Sequence, residues 1–174
     1  MSEIATTTDE TVIARTGDLF AASTAEVKGR AADALAALGS YEAVANLLRL
    51  AALQTGADDR AIILEGLGNL HTDEGFDTLA SALAATRHPQ IVEAAVAHLS
   101  RAASPGLLDT LVTLYRERND APFQKNQVLL AIRGLKNPEC RRSLAKLLST
   151  APEPALVAAA AAALGTMPLP FDAE

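Results

Sequence analysis

Tryptophan is absent from this chain, and two tyrosines and four phenylalanines make up its whole aromatic content, 3% of 174 residues. A core without aromatic bulk has to be filled by alanine and leucine, which favours closely packed helices. The β-branched and aromatic enrichment that marks strands is missing, so little or no sheet is expected. Cysteine is nearly absent too. Cys140 stands alone and cannot form an internal disulfide, which fits a reducing compartment and makes the cytoplasm the expected location.

Long apolar runs are also lacking. The most apolar stretch, Ala155 to Leu164, is mostly alanine and about half the length of a membrane-spanning helix. No membrane association is expected. The polar, acidic stretch from Met1 to Thr11 lacks the basic region and apolar core of a secretory signal, so export by that route is not expected. A positive balance is missing as well: the formal charge is −6 and the pI near 5.1, giving a field that repels phosphate backbones. Nucleic acid is therefore not expected as a partner.

Catalytic constellations are the next absence. Cys140 has no histidine near it in sequence, although Arg141 and Arg142 beside it are residues of the kind that lower a thiol pKa. His71, His88 and His98 are scattered, with none paired at the spacing by which helices assemble metal sites. Gly66 and Gly68 lie in a helical run beside Leu67 and Leu70, where close helix packing explains them better than a phosphate loop. The reading is no enzyme, no metal and no cofactor.

What the chain does have is a period. Leu47, Leu79, Leu111 and Leu144 recur at gaps of 32, 32 and 33. Ala51, Leu83, Tyr115 and Leu148 follow four residues later, which places both columns on one helical stripe. Upstream stand Leu35, Leu67, Leu99 and Ile132, with Leu38, Leu70, Ala102 and Leu135 three residues on. Between the two sets lies a helix stop and a cap, with Ser40, Thr72, Ser104 and Asn137 in one column. Pro105 and Pro138 follow at a first helical position, and Pro89 and Pro122 punctuate the junctions between units.

The unit is thus helix, tight turn, helix, looser turn. Its copies span residues 25–56, 57–88, 89–120 and 121–151, with an incomplete fifth from 152 to 165. A helical hairpin of this size cannot bury its apolar face alone, so neighbours must stack. The reading is all-α: a right-handed α-solenoid of about four to five stacked helical hairpins over residues 25–165. Residues 1–24 form a polar segment, expected either as a capping helix from about Thr8 to Ala22 or as a segment that docks on a partner, and residues 166–174 a flexible tail.

The stretch from Arg30 to Leu48, which contains Leu38-Gly39-Ser40-Tyr41-Glu42-Ala43, resembles the short HEAT-like repeat associated with phycobilisome lyases. Gly134-Leu-Lys-Asn-Pro-Glu-Cys140 is similar. The resemblance covers roughly residues 25–165 and implies a HEAT-like fold; such repeats occur in adaptors, assembly factors and lyases, so it leaves function open. It also implies that the second helix of each unit lines a concave face. Its outward positions there are Asn46, Thr78 and Thr110, then Arg49, Ser81, Thr113 and Lys146, with Asp109, Arg142 and Arg116 along a further row and its rim. This hydroxyl-rich ridge suits a helix or extended peptide. The helices on the other side, with Lys28, Asp33, Arg60 and Glu65, read as ordinary solvated surface. The expected function is a non-catalytic protein–protein interaction module, an adaptor, assembly factor or scaffold. The alternative implied by the resemblance is a lyase or chaperone-type subunit acting with a second chain on a chromophore-bearing protein.

Overall fold

The computed structural model describes residues 24–102, 104, 106–117 and 122–167, and within them the chain is helical with no strand. The helices are α1 (Ala25–Leu38), α2 (Tyr41–Leu53), α3 (Ala57–Glu65), α4 (Asp73–Ala85), α5 (Pro89–Leu99), α6 (Leu107–Glu117), α7 (Pro122–Gly134), α8 (Arg141–Thr150) and α9 (Pro154–Thr166). Short 3-10 turns, Gly66–Asn69 and Pro138–Cys140, end α3 and precede α8. The expected capping helix, Pro105 and residues 168–174 lie outside the described residues. The last helix continues to Thr166, and Met167 behind it is buried.

Helix ends fall where capping chemistry places them. Ser40 Oγ accepts from Ala43 N at 3.3 Å and Thr72 Oγ1 from Gly75 N at 3.1 Å, each satisfying an orphan amide of the helix that follows. Asn137 Oδ1 accepts from Glu139 N at 3.0 Å at the start of its 3-10 turn. Pro89, Pro122 and Pro154 open their helices, where a missing N–H costs nothing. Only Gly39, with φ 62°, is left-handed among the described residues.

The core is the predicted columns. Leu47, Leu79, Leu111 and Leu144 are fully buried, as are Leu35, Leu99 and Ile132, with Leu67 nearly so. Alanine fills the gaps between them: Ala32, Ala36, Ala80, Ala95 and Ala160 have no solvent contact, and side chains this small let helices approach closely. One column is corrected. Ala51 and Leu83 are buried, but Tyr115 is half-buried, under the Lys125 ammonium at 4.6 Å from its ring, and Leu148 is exposed. Leu147 takes the buried place in α8.

The helices pack in two runs. The odd-numbered helices form one run of neighbours, α1 on α3, α3 on α5, α5 on α7 and α7 on α9. The even-numbered helices begin another, α2 on α4 and α4 on α6, but no comparably close packing joins α6 to α8. On α8 it is Leu147, not Leu148, that faces the space between α6 and α8.

Polar contacts repeat at the same interval as the sequence. Thr72 Oγ1 bonds Gly39 O, Tyr41 N bonds Glu74 Oε1 and Thr110 Oγ1 bonds Asp77 Oδ1, each pair 33 residues apart. Lys28 pairs with Asp59 at 2.7 Å, 31 apart, and Asn69 donates to Asp33 at 2.9 Å, 36 apart. Arg60 donates through Nε to Ala51 O at 3.1 Å and through Nη1 to Gln90 Oε1 at 2.5 Å, with Nη2 on Gln54 O. Its guanidinium thus satisfies carbonyls at the end of α2, where the helix dipole favours a cation. Lys28, Asp33 and Arg60 are joints between units, not the ordinary solvated surface read from sequence.

Candidate functional site

The ten positions read as a ridge fall on α2, α4, α6 and α8, the even-numbered helices. They do not all face outward. Arg49, Ser81, Thr113 and Lys146 are exposed at equivalent places, about 200° around the helix from the core column. The column one residue before the core lies on the flank instead. There Thr78 is buried, its Oγ1 donating to Glu74 O at 2.8 Å, and it offers nothing to a partner. Thr110 is half-buried and occupied with Asp77, while Asn46 accepts from Arg49 Nη2 at 2.7 Å. At this end the ridge satisfies itself.

The other end is open. Where α8 draws away from α6, a cleft of about 270 Å³ is lined by Leu108, Asp109, Val112, Arg116, Ser143, Lys146, Leu147 and Thr150. It brings together Asp109, Arg116 and Lys146, three of the predicted positions; Thr113 and Arg142 are exposed on the helices that form it. Leu108, Val112 and Leu147, which none of the repeat columns contains, add an apolar floor.

Charge in the cleft is uneven. Arg116 Nε donates to Glu153 Oε1 at 2.9 Å, just before α9, and this hydrogen bond raises the guanidinium pKa and holds the Glu153 carboxyl below its ordinary value. Lys146 and Arg142 have no carboxylate partner among the described residues and lie at the surface of α8. The cleft can therefore receive an acidic group beside Lys146 while apolar side chains reach its floor.

The cysteine and histidines of the described residues lie elsewhere. Cys140 is buried, and burial first, then the charge of Glu139, pushes its thiol pKa up; Arg141 and Arg142 do not activate it. His71 and His88 lie in turns, and His98 is half-buried on α5 with Nδ1 3.3 Å from Arg101 Nη2. Among the described residues no group of three or more His, Cys, Asp or Glu is placed to hold a metal ion, and no helix is long and apolar enough to cross a membrane. Gly66 packs against Ala32, where an added Cβ would come within 2.7 Å of the Ala32 Cβ, whereas Gly68 has ordinary clearance. Comparison with protein-family models, curated proteins and solved structures finds no match for the chain.

Proposed function

We propose that the chain is a non-catalytic protein–protein interaction module, an adaptor, assembly factor or scaffold of the cytoplasm, built as a right-handed α-solenoid of HEAT-like hairpins. Its even-numbered helices line the concave face, and a peptide segment of another protein seats between α6 and α8. The observation that carries this reading is the cleft itself. It lies where one run of helices opens, and it combines an apolar floor with the acid Asp109 and with Lys146, which is in no ion pair among the described residues. An extended segment with one acidic and one apolar side chain matches that lining.

The test is affinity purification with quantitative mass spectrometry on the full chain and two double variants. Thr113→Glu with Lys146→Glu places like charge at the cleft. Ala34→Glu with Ala161→Glu adds negative charge at exposed positions on α1 and α9, away from it. A protein retained by the unaltered chain and by the second variant but lost from the first supports the reading. Equal retention by all three overturns it.

A further inference from the structure

A pocket of about 300 Å³ lies where the turns after α3 and α5 meet the start of α4, and it shares no residue with the cleft between α6 and α8. Leu67, Leu70 and Phe76 give it apolar walls, while His98, in the last turn of α5, and Arg101 just beyond it give it a polar one. Gly68 completes the lining. A Cβ placed there would meet the His98 Cε1 only at 3.8 Å, so the fold tolerates a side chain at this point and the glycine leaves the space open. The volume stands at the lower end for ligand pockets, roughly 300–1,000 Å³. A cavity of about 150 Å³ holds benzene, so there is room here for one ring and a short chain.

Charge in this pocket has one sign. No carboxylate lines it. Arg101 is exposed and in no ion pair among the described residues, and the one acceptor that its guanidinium approaches there is His98 Nδ1, 3.3 Å from Nη2. Nor is the guanidinium spent on the end of α5, since His98 O and Leu99 O accept from the backbone N–H groups of Arg101 and Ala102. A guanidinium only donates, so Nδ1 accepts and the neutral ring keeps its hydrogen on Nε2. Burial first and Arg101 second lower the His98 pKa, and no acid acts in the opposite direction. A half-buried imidazole beside an uncompensated guanidinium, in a pocket with apolar walls, suits a ligand that brings the negative charge. A carboxylate matches the guanidinium fork with two parallel hydrogen bonds. A phosphate dianion would set twice the charge and a third oxygen against one cation and the edges of leucine and phenylalanine.

We propose that this pocket binds a small monocarboxylate carrying a single ring or branched chain, with the carboxylate on the Arg101 guanidinium beside His98 and the apolar body against Leu67, Leu70 and Phe76. The site is independent of the proposed peptide cleft and survives or fails without it.

The probes are 3-phenylpropionate, its neutral amide, acetate and inorganic phosphate, each titrated near neutral pH into the isotope-labelled full chain and followed by NMR. 3-Phenylpropionate shifts the His98 ring and the methyl groups of Leu67 and Leu70. The amide binds about fivefold more weakly or worse, for want of the charge-assisted pair, and acetate binds more weakly for want of the ring. The bound acid raises the His98 titration midpoint, whereas the amide leaves it in place. Arg101→Gln, an exposed substitution, makes acid and amide bind alike, and Gly68→Leu, which adds bulk to the pocket wall, weakens both. Equal binding of acid and amide by the unaltered chain, phosphate bound as tightly as 3-phenylpropionate, or no shift at these residues overturns the proposal without reference to any variant's folding.

Discussion

Thr72 Oγ1 donates to the carbonyl of Gly39 at 2.6 Å and accepts from Gly75 N at 3.1 Å, so one hydroxyl caps α4 and ties its turn to the equivalent turn of the preceding unit. Gly39 can serve this contact because it is left-handed and has no Cβ; one placed there would run into the Thr72 side chain. Gly39→Ala should therefore destabilise by at least ~1–2 kcal/mol from the left-handed backbone alone, with a steric term on top. Thr72→Val should lose about 1–2 kcal/mol by orphaning both partners, and Thr72→Ser much less. Denaturant unfolding of the single and double variants checks this: in Thr72→Ala, the Gly39→Ala penalty should shrink toward its backbone part. Strict additivity would show the two residues are not coupled.

Turns such as this one account for how much of the fold was legible. Caps and prolines act within a few residues, so Ser40, Thr72, Asn137, Pro89 and Pro122 mark helix starts in sequence, and the columns through Leu47 and Leu35 give the buried faces. Contacts between units depend on how two hairpins some thirty residues apart are set against each other, which a periodic pattern does not record. That is why Lys28 and Arg60 read as solvated and why the ridge reading takes in Thr78, which packing covers. Of the candidate site, the exposed column Arg49, Ser81, Thr113 and Lys146 was legible from helical geometry alone; the cleft beside it was not.

Removing a core column side chain tests the register directly. Leu79→Ala or Leu111→Ala, each fully buried in a central unit, should cost about 2–5 kcal/mol. Leu148→Ala, at an exposed position in the same repeat pattern, should cost under about 1 kcal/mol. Chemical denaturation measures both, and a reversed order would mean the α8 register is wrong.

Arg60 should matter more than a surface arginine. Arg60→Ala removes the donor to Gln54 O, leaves Ala51 O with the Gln54 N–H alone and cuts the link to Gln90. A loss of about 1–3 kcal/mol is expected, with Arg60→Lys only partly compensating because an ammonium cannot span three acceptors in a plane. Thermal unfolding of the two variants gives the comparison; an effect no larger than that of Arg30→Ala, at an exposed pair with Glu26, would refute the joint.

Cys140 should be inert. With the side chain buried and its thiol pKa raised, modification by an aromatic disulfide at neutral pH should proceed only through unfolding, so its rate follows denaturant as global stability does. Rapid labelling of the folded chain would contradict the burial.

His98 supplies the pH dependence. Burial first, and the Arg101 guanidinium second, hold its folded pKa below the ordinary value of 6.5. As pH falls below 6.5, the unfolded chain takes the proton first, so stability is lost between 6.5 and the folded pKa and levels off beneath it. Above 6.5 both states are neutral and the group contributes no slope. NMR titration of the His98 ring should give a midpoint under 6.5. In Arg101→Gln the midpoint should rise but stay low, because burial remains the larger cause. Replacing His98 by Gln should flatten the stability profile across that window, and a midpoint at or above 6.5 in the unaltered chain would mean the ring is solvated and its approach to Arg101, at 3.3 Å, is not held in solution.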